Sequence, residues 1–279
     1  MTWDISGKVV VITGASDGIG AAAARELHRR GAVVVPVGRN PDKTAAIASE
    51  LGVEPLTADF ASFAEVRRLA DDLLARCPRI DVLANNAGGT WPRRQLTADG
   101  HELTFQANHL AMFLLTELLR ERLVASSPAR VIVTSSSAHR SGRLADLDDL
   151  DREKGYQVGR VYGTSKLLNI LYTRQLARSL EGTGVTAYSF HPGSVATKFG
   201  RDQALVRFAY QGPIRFFFKT PEQGADTLVY LATAPTEELA NGGFYFKRKL
   251  WTMSAAAKDE AAPARLWSMS EQLVGLSGP

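Results

Sequence analysis

The chain has 279 residues, 45% of them hydrophobic, which suits one α/β domain with a large core. Its net charge of +4 is modest, and no basic stripe interleaved with aromatic residues occurs, which argues against nucleic-acid binding. No run of 18 or more apolar residues occurs, so we expect no integral membrane segment. Met1–Asp4 leaves no room for a signal peptide, and Cys77 is the only cysteine, so we expect a cytoplasmic protein without an intrachain disulfide.

A glycine-rich turn follows the first predicted strand, which is the short apolar run at residues 8–13. Gly14, Gly18 and Gly20 then lead into a strong helix former at residues 21–30. Gly14 permits a tight turn, Gly18 lets the backbone approach a pyrophosphate, and Gly20 allows close helix–strand packing. The spacing is one residue wider than the usual dinucleotide fingerprint, and the flanking strand and helix favour a nucleotide site over a turn without a ligand.

Apolar strand-like runs alternate with amphipathic helical runs along the rest of the chain, without a linker or repeat. This alternation predicts an α/β fold, a doubly wound parallel sheet (Rossmann fold) in a single domain, residues 1–279. Ligands of such folds bind beyond the carboxyl ends of the strands. The predicted strands are 33–37, 53–58, 81–84, 130–135, 185–190 and 243–246, and the predicted helices are 41–51, 62–76, one within 99–124, 156–180 and 221–232.

The second strand ends in Val37-Gly38-Arg39-Asn40, with no acidic residue to bind a ribose 2′-hydroxyl. Arg39 can instead pair with a 2′-phosphate. The sequence therefore predicts NADP(H) over NAD(H), and the alternative is an exposed arginine without a ligand.

Tyr162 and Lys166 are four residues apart in a predicted helix and therefore share one face of it. An ammonium group beside a phenol favours the phenolate, which makes the tyrosine a usable acid or base near neutral pH. Reduction of a carbonyl, or oxidation of an alcohol, needs such a group. Alone the pair could be a solvated helix face, but the nucleotide-binding pattern favours the catalytic interpretation.

The ordered motifs resemble those of the short-chain dehydrogenase/reductase family over nearly the whole chain. They are Thr13-Gly14-x-x-x-Gly18-x-Gly20, Asn85-Asn86-Ala87-Gly88, Asn108, a serine in Thr134-Ser135-Ser136-Ser137, Tyr162-x-x-x-Lys166 and Pro192-Gly193. The chain is most similar to the retinol-dehydrogenase-like branch. That similarity rests on Asn108-His109-Leu110, Ser136-Ser137-Ala138-His139, Tyr162 to Arg174, Gly182-Thr183-Gly184-Val185, His191-Pro192-Gly193, Pro221-Glu222-Gln223-Gly224-Ala225 and Ala264-Arg265-Leu266-Trp267-x-x-Ser270.

The resemblance implies four catalytic residues, Asn108, Ser136, Tyr162 and Lys166. Tyr162 would exchange a proton with the substrate oxygen, and Lys166 would lower the pKa of Tyr162 and bind the nicotinamide ribose. Ser136 would donate a hydrogen bond to the substrate oxygen, with Ser137 as the runner-up, and Asn108 would hold a water that relays protons. His139 and His191 are expected to be structural or pocket-lining.

The resemblance also implies the cofactor contacts. Asp59 would bind the adenine amino group, Asn86 to Gly88 would line the adenosine side, and Thr197 would bind the nicotinamide carboxamide. The full expected set is Gly14, Ser16, Asp17, Gly18, Ile19, Gly20, Arg39, Asp59, Asn86, Ala87, Gly88, Tyr162, Lys166, Pro192, Gly193 and Thr197, with no metal ligand.

Two segments have more than one interpretation. The insertion 139–159 is acidic at Asp146 to Asp151, which favours a solvated surface loop over a metal site. Aromatic residues in about 198–220 suggest a substrate lid over an apolar pocket, with core packing, a subunit contact in a homo-oligomer, or a membrane-surface contact as alternatives.

We expect an NADP(H)-dependent oxidoreductase that interconverts an alcohol and an aldehyde or ketone, on a small lipophilic substrate. The alternative is a non-catalytic NADP(H)-sensing protein with the same fold. Such a protein would usually lose the tyrosine or the lysine, and this chain keeps both.

Overall fold

The computed structural model describes residues 3–194 and 219–276. In these residues, short β-branched runs form an eight-stranded sheet of order β3-β2-β1-β4-β5-β6-β7-β8. All neighbouring strands are parallel except β8, which is antiparallel to β7. The strands are β1 Val9–Thr13, β2 Val33–Gly38, β3 Leu56–Thr57, β4 Val82–Asn85, β5 Ala129–Thr134, β6 Val185–His191, β7 Phe244–Phe246 and β8 Lys249–Leu250.

Helices cover both faces of the sheet, as the alternating pattern predicted. A continuous helical stretch, α4, consists of α-helix Leu103–Phe105, a π-turn Gln106–Leu110 and α-helix Ala111–Leu118. Within the described residues, 3₁₀ turns occur at Ser137–Ser141, Leu144–Asp148 and Thr236–Glu238. The other helices are α1 Gly18–Arg29, α2 Pro41–Leu51, α3 Phe63–Arg76, α5 Arg120–Ala125, α6 Val158–Ser179, α7 Pro221–Thr233, α8 Ala255–Lys258 and α9 Ala262–Leu273.

The hydrophobic core has two parts, one on each face of the sheet. One is formed with α1, α2 and α7, and the other with α3, α4, α6 and α9. The strands between them are buried on both sides, which explains their continuous apolar character. None of the helices in the described ranges is long and apolar enough to cross a membrane.

Several elements differ from the sequence prediction. The helix predicted within 99–124 is divided into α4 with its π-turn and α5. The strand predicted at 53–58 is only two residues long, because β3 is an outer strand that pairs with β2 alone. The sequence analysis did not predict β8 or the C-terminal helices α8 and α9.

The prediction that the acidic segment 146–151 is a solvated loop is wrong for its first residue. Asp146 is buried, and so are its neighbours Leu147 and Leu150. Two arginines of the same region, Arg152 and Arg160, form ion pairs with Asp146. A carboxylate can leave water when guanidinium groups replace its hydration, which the local charge pattern alone did not reveal.

Candidate active site

The glycine-rich turn after β1 is joined to the end of the neighbouring strand β4. The Thr13 hydroxyl accepts the backbone N–H groups of Asn86 and Ala87, both at 3.0 Å. In return, the Asn86 side-chain amide donates to the Thr13 carbonyl at 3.1 Å. The predicted residues Asn86 and Ala87 therefore lie directly against the turn.

Glycine is required at two positions of this turn. Gly14 has φ +67°, and a Cβ there would lie 2.9 Å from the Ala87 Cα. A Cβ at Gly20 would lie 2.2 Å from the Gly14 carbonyl oxygen. Asp17 begins α1 by accepting the Gly18 N–H at 2.8 Å. This glycine-walled cradle at a helix N-terminus fits the pyrophosphate of a dinucleotide.

The residues predicted for the adenosine end follow the adjacent outer strands. Arg39 is exposed directly after β2. Ser16 lies against Gly38, the residue before Arg39, because a Cβ at Gly38 would come within 2.8 Å of the Ser16 Cβ. Asp59, shortly after β3, is half-buried and accepts the Ala61 N–H at 3.0 Å. The end of β2 therefore carries the cationic side chain of Arg39 and no acidic residue.

Ser136 lies beside Tyr162 at the carboxyl end of β5. Its hydroxyl accepts the Ala138 N–H at 3.1 Å. Burial raises the pKa of Tyr162 to about 12, while the interaction with the Ser136 side chain acts in the opposite direction. Ser137, the alternative serine, is exposed at the start of the following 3₁₀ turn.

Lys166 is buried beneath Tyr162, with its ammonium 5.6 Å from the centroid of the tyrosine ring. It donates to the Thr134 carbonyl at 3.2 Å, and burial lowers its pKa to about 8. The resemblance implies that Lys166 lowers the pKa of Tyr162, whereas in the structure burial is the larger effect and raises it.

Asn108 lies in the π-turn of α4 and is bonded on both sides of its amide. Its Nδ2 donates to the Gly89 carbonyl at 2.9 Å and to the Ser165 hydroxyl at 3.0 Å. Its Oδ1 accepts the Gly89 N–H at 2.7 Å. A Cβ at Gly88 would lie 2.8 Å from Asn108 Oδ1 and 3.5 Å from Lys166 Nζ, so Gly88 separates these two side chains.

Two side chains that the sequence analysis did not single out support this arrangement. Asn169 donates to the same Thr134 carbonyl as Lys166, at 3.1 Å. Ser165 joins Asn108 to the Tyr162 carbonyl, to which it donates at 2.8 Å. Both lie on α6 within four residues of Lys166, and this spacing is the signal that could have found them.

The two histidines near the site bond to backbone groups. His139 Nδ1 lies 2.7 Å from the Ser136 carbonyl, and its Nε2 accepts the Ser254 N–H at 3.1 Å. Buried His191 accepts the Gly193 N–H at 3.3 Å and has its pKa lowered to about 4, mainly by burial.

Pro192 and Gly193 follow β6 at the same edge of the sheet. Gly193 has φ +94° and lies against the Lys219 side chain. Thr197 and residues 198–218 of the predicted lid lie outside the described residues.

The order of the strands and the site at their carboxyl ends define a class of dehydrogenase. The family model described as short chain dehydrogenase matches residues 8–205. The chain belongs to that family and is therefore an oxidoreductase, which in this family acts with a nicotinamide cofactor.

Its relatives narrow the class further. A protein of Streptomyces sp. (strain C5) named "Putative daunorubicin C-13 ketoreductase DnrU" is 44% identical over 97% of this chain and 94% of its own length. Human retinol dehydrogenase 11 is 40% identical over 99% of this chain and 88% of its own. These relatives confirm the expected similarity to retinol dehydrogenases.

A solved structure supports the fold. The Pseudomonas aeruginosa RhlG/NADP active-site complex superposes with a TM-score of 0.70 at 27% identity, covering 88% of this chain and 96% of that one. The predicted doubly wound α/β fold is confirmed.

Proposed function

We propose that this protein interconverts an alcohol and an aldehyde or ketone with NADP(H), on a lipophilic substrate. The observation that carries the proposal is the placement of Ser136 beside Tyr162, with buried Lys166 behind them. A phenol and a hydroxyl that lie side by side can both bond a single substrate oxygen. The sheet edge that holds them also holds the glycine-rich cradle.

Each side chain has a distinct proposed role. Tyr162 gives a proton to the carbonyl oxygen during reduction and takes it back during oxidation, while Ser136 donates a hydrogen bond to that oxygen. Lys166, with its pKa near 8, can exchange protons with solvent near neutral pH. The Asn108 side-chain amide bonds both the N–H and the carbonyl of Gly89, in the backbone that lies between Asn108 and Lys166. We propose that Asn108 positions a water that relays protons.

The nicotinamide supplies or accepts the hydride when it is bound. The turn with Gly14 and Gly20 would hold its pyrophosphate, and Ser16 and Arg39 would bind a 2′-phosphate. Asp59 would bind the adenine, and Lys166 would bond the nicotinamide ribose. The NADP complex of the Pseudomonas relative supports the choice of cofactor.

A lipophilic substrate is supported by an aromatic residue at the carboxyl end of β7 and another directly after β8, which both pack on His191 at the end of β6. The rings of Phe246 and Trp251 stack on His191 with centroid distances of 4.9 and 5.6 Å, and both are half-buried. Retinol and daunorubicin in the names of the relatives agree with a lipophilic substrate.

The first experiment follows NADPH oxidation with aldehydes and ketones ranging from short and polar to long and apolar. Tyr162→Phe should lower kcat at least roughly a hundredfold, because the general acid is lost. Tyr172→Phe is the matched control, since Tyr172 is a buried tyrosine of the same helix that packs on Phe113 and Trp267. It should keep full activity.

Two results would contradict the proposal. Equal turnover in Tyr162→Phe would remove the tyrosine from the reaction. Tight NADPH binding without turnover of any carbonyl would favour the sensing protein instead.

The cofactor preference is tested at Arg39. Arg39→Asp should raise KM for NADPH roughly tenfold to a hundredfold and leave KM for NADH much less affected, because a charged hydrogen-bond partner of the phosphate is lost. Arg76→Asp makes the same change of charge at the end of α3 and should alter neither constant. An unchanged ratio of the two KM values in Arg39→Asp would exclude this role.

A further inference from the structure

A buried carboxylate lies in the segment that joins β5 to α6. The Asp146 side chain is 0% exposed. It forms ion pairs with Arg152 at 2.8 Å and with Arg160, and it accepts hydrogen bonds from the Thr164 hydroxyl at 2.5 Å and the Arg143 N–H at 3.1 Å. Although burial raises its pKa, hydrogen bonds from the two arginines hold the pKa well below the ordinary value, so Asp146 stays charged.

The partners of Asp146 lie on the same turns of α6 as the proposed catalytic pair. Arg160 and Thr164 are four residues apart and share one face, and Tyr162 and Lys166 share another. At 100° per residue these faces are roughly opposite one another. Asp146 therefore holds the back of the helix whose front carries Tyr162.

The segment that carries Ser136 lies in direct backbone contact with the same turns. A Cβ at Gly163 would lie 2.6 Å from the Ala138 carbonyl oxygen, and a Cβ at Gly142 would lie 2.9 Å from the Thr164 Cα. Such close contacts leave no space for the 3₁₀ turn after Ser136 to shift independently of α6.

Backbone strain marks the same network. Arg152 has φ +51°, in the left-handed region that non-glycine residues rarely adopt, and it is buried. Its guanidinium bonds both Asp146 and the Thr164 hydroxyl, the latter at 3.0 Å. Strain of this kind persists where surrounding contacts over-determine the conformation.

We propose that Asp146 and Thr164 form a positioning pair that sets the position of Ser136 relative to Tyr162. This inference rests on the proposed function of Tyr162 for its kinetic consequence. Asp146 and Thr164 act through the placement of the 3₁₀ turn and α6 and do not touch the substrate.

The test reads the environment of the Tyr162 hydroxyl, in protein labelled with ¹³Cζ-tyrosine. Tyr162→Phe assigns the Tyr162 resonance, and Ser136→Ala gives its position when the Ser136 hydroxyl is removed. Asp146→Asn and the milder, volume-conserving Thr164→Val should both move the resonance toward the Ser136→Ala position. Thr164→Ser keeps the hydroxyl and should restore the wild-type position.

We expect kcat and KM for NADPH to respond differently to the same substitution. Thr164→Val should lower kcat roughly tenfold to a hundredfold, as expected for a small misplacement of reacting groups, with KM for NADPH unchanged. Thr173→Val is the matched control, because the Thr173 hydroxyl on the same helix bonds the Asn169 carbonyl at 2.7 Å and is not part of the Asp146 network. It should change neither kcat nor the resonance.

The outcomes separate the two proposals. A Tyr162 resonance that stays in place in Asp146→Asn and Thr164→Val overturns the positioning role, whatever the turnover. A shifted Tyr162 resonance with unchanged kcat would show that this positioning does not affect the reaction rate. Absence of turnover in the wild-type enzyme would defeat the proposed function, and the resonance would still decide the positioning role.

Discussion

Lys166 is a cation in a buried site, and its burial costs stability. Its pKa is lowered from 10.5 to about 8, so between these values the unfolded chain binds a proton that the folded chain does not. Stability should therefore rise with pH over this window. Below pH 8 both states are protonated, and the full penalty of burying the ammonium remains.

Removal of the charge should reveal this penalty. Lys166→Met should be more stable than the wild type at pH 7 by up to roughly 3 kcal/mol, and the difference should vanish by about pH 10.5. Urea unfolding of both proteins from pH 6 to 10.5 measures it. Parallel pH curves for the two proteins would contradict the lowered pKa, since shared effects such as the Tyr162 titration cancel in the difference.

Local sequence spacing predicts some contacts of the site and misses others. The four-residue spacing predicted that Tyr162 and Lys166 share a face, because helix geometry decides this locally. The bond from Lys166 to the Thr134 carbonyl depends on how β5 and α6 pack, and no local pattern contains it. The burial of Asp146 was also missed, because its ion pairs with Arg152 and Arg160 depend on how the segment after β5 packs on α6.

At the scale of elements, the turn between β1 and α1 combines a strained backbone with a close contact. Gly14→Ala should destabilise the fold and weaken NADPH binding, because Cβ would lie 2.9 Å from the Ala87 Cα. Gly52→Ala is the matched control, with φ +65° and nothing within 4 Å of the added Cβ.

The Gly52→Ala control separates the cost of a left-handed backbone from the cost of the steric clash with Ala87. Gly52→Ala should cost about 1 kcal/mol, the penalty of the left-handed backbone alone, and leave NADPH binding unchanged. Urea unfolding and NADPH titration measure both quantities. Equal losses in the two variants would show that the contact with Ala87 contributes nothing.

The sequence predicted a helix or strand best where its hydrophobic pattern extends over many residues and does not depend on tertiary contacts. The strands of the sheet centre appear as apolar runs because both of their faces are buried, and α2 occupies the predicted residues 41–51. The π-turn 106–110 was missed because an apolar helical period does not distinguish it from an α-helix. The short strand β8 depends on pairing with β7, which is a tertiary contact.

At the scale of the whole molecule, the C-terminal helix α9 covers α4 and α6 beside the site. Trp267 stacks on Tyr172 with ring centroids 5.7 Å apart, and Ser270 lies 3.0 Å from buried His109, the neighbour of Asn108. The two similarity motifs that contain His109 and Ser270 are thus in contact across 161 residues of sequence.

Docking of this helix should contribute strongly to stability. Leu266→Ala should cost roughly 2–5 kcal/mol, because Leu266 is buried in the core under α9. Its neighbour Arg265 forms only an exposed ion pair with Asp148, so Arg265→Ala should change stability by less than about 1 kcal/mol. An unchanged unfolding midpoint in Leu266→Ala would show that α9 does not dock in solution.

The outermost strands of the sheet have a consequence for the behaviour of the protein in concentrated solution. Both β3 and β8 have two residues, and β8 carries Lys249 at its exposed end. A longer edge would offer a row of free N–H and C=O groups on which another chain could add a strand. These short edges limit such templating, so the apolar strands of the sheet interior are protected from cross-β aggregation as long as the fold is intact.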